Sequence, residues 1–250
     1  MTIDLAGMLR HVRALWTRDR AILLPLSGLF MFLPQYGALL LIPPMPASEP
    51  NGSVQAWTAA LEPWVATYGG WYVLATLSGQ FGALAVVSLY AHPPLTTGGA
   101  LLRALRLFAR VMLANILVTL PCGAVALASM PLSFAPFFVL PAIVYVLART
   151  MLIAPVIVGE PRTSAIAAIG RSVALTKGRG MPLALLVGAI MVGGQAMGTL
   201  IIAIDRAVRI GPFGNRVLIA TIDGLAAGVA WAAALLLALV HVAVYRRLAR

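Results

Sequence analysis

Acidic side chains are scarce in this chain. Its 250 residues hold 7 Asp+Glu against 18 Lys+Arg, a formal net charge of +11. Charged residues of either sign make up only 10%, where an average soluble domain carries about 25%. So few charges cannot coat a water-facing globule, which excludes an ordinary soluble protein. Cysteine is almost missing. Cys122 stands alone, so no internal disulfide can form, and its apolar surroundings mark it as a small packing residue, not a reactive thiol. Histidine is sparse too. His11, His92 and His241 lie far apart with no Cys or carboxylate at ligand spacing, so neither a metal site nor any cofactor is expected. Lys177 is the only lysine, and the basic excess is otherwise arginine. With heavy alanine use, this composition points to a GC-rich bacterial genome.

What fills the chain is apolar. Hydrophobic residues reach 61% and the mean hydropathy is +0.97. A hydrocarbon core about 30 Å thick needs roughly 20 apolar residues in a helix. Six runs qualify: 21–42, 67–91, 107–129, 134–158, 182–204 and 217–245. The last is long enough that it must tilt or begin outside the hydrocarbon. None alternates with period two, and all exceed the length of a barrel strand, so the spacing predicts helices. The expected fold is all-α: one polytopic membrane domain, 1–250, with six transmembrane helices. Internal prolines are tolerated where neighbouring helices satisfy the freed carbonyls, and Pro25, Pro34, Pro121, Pro141 and Pro155 are expected kinks. Run 21–42 reads as a retained span. Its charged lead-in is long for a secretory leader, and Ala47 and Ser48 make a poor cleavage site.

The connecting segments divide the positive charge unequally. On one side lie Arg10, Arg13, Arg18, Arg20; Arg103, Arg106, Arg110; Arg162, Arg171, Lys177, Arg179; and Arg246, Arg247, Arg250. The other side has Arg206, Arg209 and Arg216, and Arg149 falls inside a span. The acidic residues divide evenly: Asp4, Asp19 and Glu160 against Glu49, Glu62 and Asp205, with Asp223 in a span. Short loops with this arginine bias face the cytoplasm. The expectation is a bacterial inner-membrane protein with both termini cytoplasmic.

The basic residues also form stripes. Arg10, Arg13 and Arg20 share a helical face, while Leu5, Met8, Leu9, Val12, Leu15 and Trp16 fill another. Arg103, Arg106 and Arg110 oppose Leu101, Leu105, Phe108 and Met112, with Thr96 or Thr97 as N-cap. A third helix capped by Ser164 carries Ile166, Ile169 and Val173 on one side and Arg171 and Lys177 elsewhere. Gly178 or Gly180 ends it, beside Arg179. Cytoplasmic-side amphipathic interfacial helices are therefore expected, and the chain divides into three loose units: 1–92, 93–160 and 161–250. Each is a basic helix, a span out and a span back. Such helices sink apolar faces into the headgroup boundary and set arginines on anionic phospholipids. A docking platform for a protein partner is the other use of the same stripes. No nucleic-acid partner is expected, because no recognition fold or aromatic platform accompanies the charge.

The stretch Ala154-Pro-Val-Ile-Val-Gly-Glu160, followed by Ala167-Ala-Ile-Gly-Arg-Ser-Val-Ala-Leu-Thr-Lys-Gly178, resembles the YciC-type bacterial inner-membrane proteins. It is also similar to the membrane domain joined to some glycerophosphodiester phosphodiesterases. In both, an apolar helix ends in a proline-containing turn and an acidic residue, and an Arg-Ser…Leu-Thr-Lys/Arg helix leads into the next span. The resemblance extends over length, six spans and the basic N-terminal helix. It implies a multipass inner-membrane protein of uncharacterised role. It does not imply phosphodiesterase activity, which belongs to a separate soluble domain.

Ionisable side chains inside spans are expensive, roughly 2.5–3.5 kcal/mol each on insertion scales. Arg149 lies about 13 Å from the basic boundary and Asp223 about 9 Å from the opposite one. Two arrangements remain open. The two form an intramembrane ion pair across a gap of roughly 8 Å, or Arg149 snorkels and Asp223 sits at the interface. Gln80, in Ser78-Gly-Gln-Phe-Gly82, and Gln195, in Gly193-Gly-Gln-Ala-Met-Gly198, suit close helix contacts bridged by an amide. The same four polar residues could instead line a substrate pathway. Trp57, Trp64, Trp71 and Tyr72 cluster at the boundary away from the basic side, an interfacial belt, with 53–65 as a short surface helix.

No enzyme template is present. There is no Gly-x-Ser-x-Gly elbow, Walker loop, His-Glu-x-x-His or intraspan carboxylate pair. The expected role is non-enzymatic: an envelope scaffold or accessory protein holding anionic lipid. The alternative is a small-molecule or ion transporter or channel, with Arg149, Asp223, Gln80 and Gln195 on a polar pathway.

Overall fold

The structure, a computed structural model, describes residues 5–46, 53–91, 96–129, 134–210 and 215–249. His92, Glu49 and Arg250 lie outside these, as do the side chains of Arg206 and Arg209. The described residues are helical almost throughout and contain no strand. The helices are α1 (Leu5–Ser27), α2 (Leu33–Leu41), α3 (Val54–Trp64), α4 (Gly70–Ala91), α5 (Thr97–Ser129), α6 (Ala135–Thr150), α7 (Ile153–Gly159), α8 (Ala165–Leu175), α9 (Gly180–Ile210) and α10 (Arg216–Leu248). Six stretches are long and apolar enough to cross a membrane: Gly7–Leu41, Gln55–Tyr90, Thr97–Ser129, Phe137–Gly159, Gly180–Asp205 and Arg216–Leu248. The chain is an all-α polytopic membrane protein. Large apolar side chains such as Leu120, Leu127, Phe137 and Phe138 point outward, as lipid-facing surface does.

Two expected interfacial helices are continuous with their spans. α1 carries the first arginine stripe straight into the apolar run, and α5 carries the second. Residues 17–24 and 107–114 contain no glycine or proline, so nothing stops the helix at the change of polarity. The expected caps hold. The Gly99 amide donates to Thr96 Oγ1 at 3.2 Å, and the Ala167 amide to Ser164 Oγ at 3.2 Å. Only the third basic helix, α8, stands apart. It ends before Gly178, whose φ of +73° is the left-handed conformation glycine adopts most readily.

The prolines act in different ways. Pro25 and Pro34 flank a π-helical turn, Gly28–Phe32, that joins α1 to α2. The Pro34 nitrogen cannot donate to the Phe30 carbonyl one turn earlier. Ser78 Oγ of α4 donates to that carbonyl instead, at 3.1 Å. Pro63 precedes a second π turn, Val65–Gly69, through which α3 continues into α4, so the expected surface helix is the first part of a longer one. Pro121 and Pro141 sit inside unbroken assignments of α5 and α6. At Pro155 the distortion goes beyond a kink, because its nitrogen cannot donate to the Met151 carbonyl. The expected single span 134–158 is broken at Met151–Leu152, and Pro155 lies in the first turn of α7, where its missing N–H has no helical partner to lose.

Close packing concentrates toward one end. Val86, Val87, Leu152, Val156, Val158, Val240 and Val244 are all sealed from solvent there, among the helix ends that carry the arginines. Toward the other end the spans enclose open space.

Candidate functional site: a polar chamber above an arginine-capped floor

The last carbonyls of a helix have no partner within it and carry its negative dipole end. At the basic end, arginines from neighbouring helices supply the donors. Arg246 of α10 donates to the Tyr90 carbonyl near the end of α4, with its guanidinium 5.6 Å from the Tyr90 ring centre. The Tyr90 hydroxyl donates to Asp19 at 2.8 Å, and Asp19 pairs with Arg18 at 2.8 Å. Arg103 of α5 donates to the Val158 carbonyl of α7 at 2.6 Å, and Arg110 donates to the Pro161 carbonyl just beyond it. Arg171 faces Glu160 at 3.5 Å.

Arg149 belongs to the same set. It sits at the end of α6, where the fourth span breaks. Its guanidinium donates to the Val173 carbonyl of α8 at 2.8 Å and to the Tyr145 hydroxyl at 3.2 Å. Gly180 leaves room for this: a methyl there would lie 2.7 Å from Tyr145 Cε2 and 2.9 Å from Arg149 Cδ. The break itself is closed by α8. Ser172 Oγ donates to the Arg149 carbonyl at 2.9 Å and accepts the Leu152 amide at 3.2 Å. Thr176 Oγ1 shares its one proton between the Ser172 carbonyl at 2.9 Å and the same Arg149 carbonyl at 3.2 Å. The Arg-Ser…Leu-Thr-Lys pattern thus has a structural reason. Ser172 and Thr176, one turn apart, face the broken backbone, while Arg171 and Lys177 are exposed.

Two adjoining cavities open between the spans above this floor. The first, about 620 Å³, is lined by the polar groups of Gln35, Gln80, Asn115, Thr119, Thr150 and His241 within a mainly apolar wall. The second, about 690 Å³, reaches Gln195, Thr199, Asp205 and Asp223. Gln35, Tyr72 and Met191 line both, so the two form one chamber. It extends from Pro43–Met45, just past α2, and Asp205 of α9 to the level of Thr150 and His241. Near its open end the Trp64 indole donates to the Pro43 carbonyl at 2.9 Å, and Trp57 to the Pro46 carbonyl at 3.0 Å. The tryptophans of the expected belt therefore hold the chain after α2.

Of the four polar residues singled out in the sequence, Gln80 lines the first cavity and Gln195 and Asp223 the second. Arg149 lines neither, and the structure does not bring it to Asp223. Its donors go to Val173 and Tyr145 at the floor. The glycines flanking the glutamines divide by role. Gly82 meets the π turn between α1 and α2, where a methyl would lie 2.8 Å from Phe30 Cβ, and a methyl at Gly194 would lie 3.0 Å from Ala233 Cβ of α10. Gly79 and Gly198 have open space beside them because they face the chamber. Of the arginines expected at lipid, Arg103 and Arg110 bond backbone carbonyls and Arg171 pairs with Glu160. Arg179 is half-buried, and Arg10, Arg13, Arg20, Arg106 and Lys177 are exposed. Gln35, Asn115 and Asp205 were not singled out by sequence reasoning. Two of them carried a usable signal: a lone amide in an apolar run, in Pro34-Gln-Tyr36 and Ala114-Asn-Ile116.

The chain matches no family model, no curated protein and no solved structure.

Proposed function

We propose that this multipass membrane protein binds a small molecule in the chamber and passes it across a bacterial inner membrane, with the arginine-capped end in the cytoplasm. The observation that carries this reading is the joined chamber itself. The amides of Gln35, Gln80, Asn115 and Gln195 and the His241 imidazole are gathered between apolar spans, where polar groups are costly. Such groups are retained inside membranes where they meet a ligand or water. Packing alone accounts for the glycines at the helix contacts but not for Gln35, Gln80 and Asn115 turned toward empty space. Among the described residues the floor is closely packed and tied by Arg103, Arg149 and Arg246, and the chamber lies on the side away from it. π turns often mark functional irregularities in helices, and those at 28–32 and 65–69 are places where α1–α2 and α3–α4 could shift register. An envelope scaffold remains the competing proposal, supported by the exposed Arg13, Arg20, Arg106 and Lys177. The inner-membrane location and the likeness to YciC-type proteins belong to the same proposal.

Thiol access tests it. In a Cys122→Ser background, Gln80→Cys and Gln195→Cys are exposed to a charged, membrane-impermeant thiol reagent in sealed vesicles of each orientation. Modification of both, from the face opposite the C-terminus only, is expected. Val86→Cys, in the packed floor, stays unmodified from both faces. Protection of Gln80→Cys and Gln195→Cys from both faces contradicts the reading.

A further inference from the structure

A second kind of space lies on the outside of the bundle, between the first and last spans. Leu9, Arg13 and Trp16 of α1 and Trp231, Leu235 and Leu239 of α10 line a groove of about 330 Å³. Arg13 is the only charged residue among its described lining. The α1 side belongs to the basic amphipathic stretch, with Arg13 and Arg20 exposed. The α10 side belongs to the middle of an apolar span. The groove therefore begins where positive charge meets the headgroups and continues along hydrocarbon.

We propose that this groove binds one acyl chain of an anionic phospholipid, with the lipid phosphate at Arg13. Size and charge both select this occupant. The groove, about 330 Å³, matches less than one turn of a helix about 10 Å across, so a further span would rest on its rim where a methylene chain can enter it. The α10 side of the groove, with Leu235 and Leu239, lies within the last span, beyond the reach of a soluble partner. A flexible methylene chain fits a narrow apolar slot, and guanidinium is well matched to phosphate geometry. The proposal does not rest on the transport reading. It adds a link to it, however, because Trp231 lines the groove and the first chamber cavity alike. Its indole is fixed by donation to Ser27 Oγ at 2.9 Å, and Ser27 in turn donates to the Leu23 carbonyl at 2.6 Å. Trp231 is the partition between lipid and chamber.

Because Trp231 touches the groove, its fluorescence reports the occupant. Trp16, Trp57, Trp64 and Trp71 are changed to Phe, and the full chain is reconstituted in phosphatidylcholine vesicles. These carry a minor fraction of bromine-labelled phosphatidylglycerol or bromine-labelled phosphatidylcholine. Half-maximal quenching of Trp231 is expected at about a fivefold lower fraction of the anionic lipid, the preference one basic group near a membrane surface confers. Arg13→Gln removes that preference and leaves quenching by the neutral lipid. Absence of quenching by either lipid, or equal quenching with Arg13 intact, overturns the proposal. If the four-Phe chain does not fold, the same difference is read from the unmodified chain minus Trp231→Phe. Acrylamide added to the water tests the chamber separately. Quenching by acrylamide without quenching by bromine-labelled lipid defeats the groove and leaves the chamber standing.

Discussion

Replacing Ser172 by Ala and Thr176 by Val together is expected to lower stability by more than the two single changes combined. Ser172→Ala strands the Leu152 amide, whose residue is fully buried. Leaving one buried donor unsatisfied costs about 1–3 kcal/mol. The Arg149 carbonyl still keeps Thr176 Oγ1 in that variant. Thr176→Val alone is milder, about 1 kcal/mol, because Ser172 Oγ continues to serve the same carbonyl. Only the double variant leaves the carbonyl without either hydroxyl, and groups that share one acceptor are not additive. The measurement is a double-mutant cycle of reversible unfolding in mixed detergent micelles. A coupling energy of zero contradicts the account of α8 as the closure of the broken fourth span.

The second large effect concerns two glycines in one turn of α4. Gly82→Ala places a methyl 2.7 Å from Met31 Cγ and 2.8 Å from Phe30 Cβ. A β-carbon is fixed to its backbone and cannot swing aside, so α1–α2 must move. Overpacking of this kind costs about 1–3 kcal/mol. The helix-propensity gain of alanine over glycine, about 1 kcal/mol, offsets part of it. Gly79→Ala meets nothing within 4 Å and receives that gain alone. The expected result is a loss of stability at residue 82 and an unchanged or raised stability at residue 79. Equal effects at both positions would show that α4 does not approach the π turn as closely as described. The contrast separates a packing glycine from a chamber glycine in the same Ser-Gly-Gln-Phe-Gly segment.

Much of the architecture is legible without coordinates. Hydropathy runs locate the spans because a bilayer-length helix leaves a signal no soluble element imitates. The arginine bias identifies the end where Arg103, Arg110 and Arg246 gather. The caps at Thr96 and Ser164 follow from local hydrogen-bond chemistry. The broken helix is not legible in the same way. Pro155 cannot donate to the Met151 carbonyl one turn earlier, so a local disturbance is legible. A full break is not, because the groups that close it, Ser172 and Thr176, come twenty or more residues later. Arg149 was conspicuous as a charge within a span, but hydropathy suggests only a carboxylate as its partner. Its actual acceptors are a backbone carbonyl and a tyrosine hydroxyl, and a carbonyl at a helix end is not marked in a residue string. The chamber was half visible. Gln80, Gln195 and Asp223 stood out. Gln35 and Asn115 are each an amide in an apolar run, but their convergence with Gln80 from α2, α4 and α5 is a property of packing.

The central claim is that the space around Gln80 and Asn115 is polar and wet while the outer faces of the same helices meet lipid. Collision rates of a nitroxide label decide it. In the Cys122→Ser background, a label is attached at Asn115→Cys, facing the first cavity, and at Leu113→Cys, on the exposed apolar face of α5. A water-soluble nickel chelate and molecular oxygen, which concentrates in hydrocarbon, compete as relaxing agents. The label at residue 115 is expected to favour the chelate, and the label at residue 113 to favour oxygen. If both labels favour oxygen, the bundle interior is closed to water at this depth, and the polar chamber is not part of the protein's function.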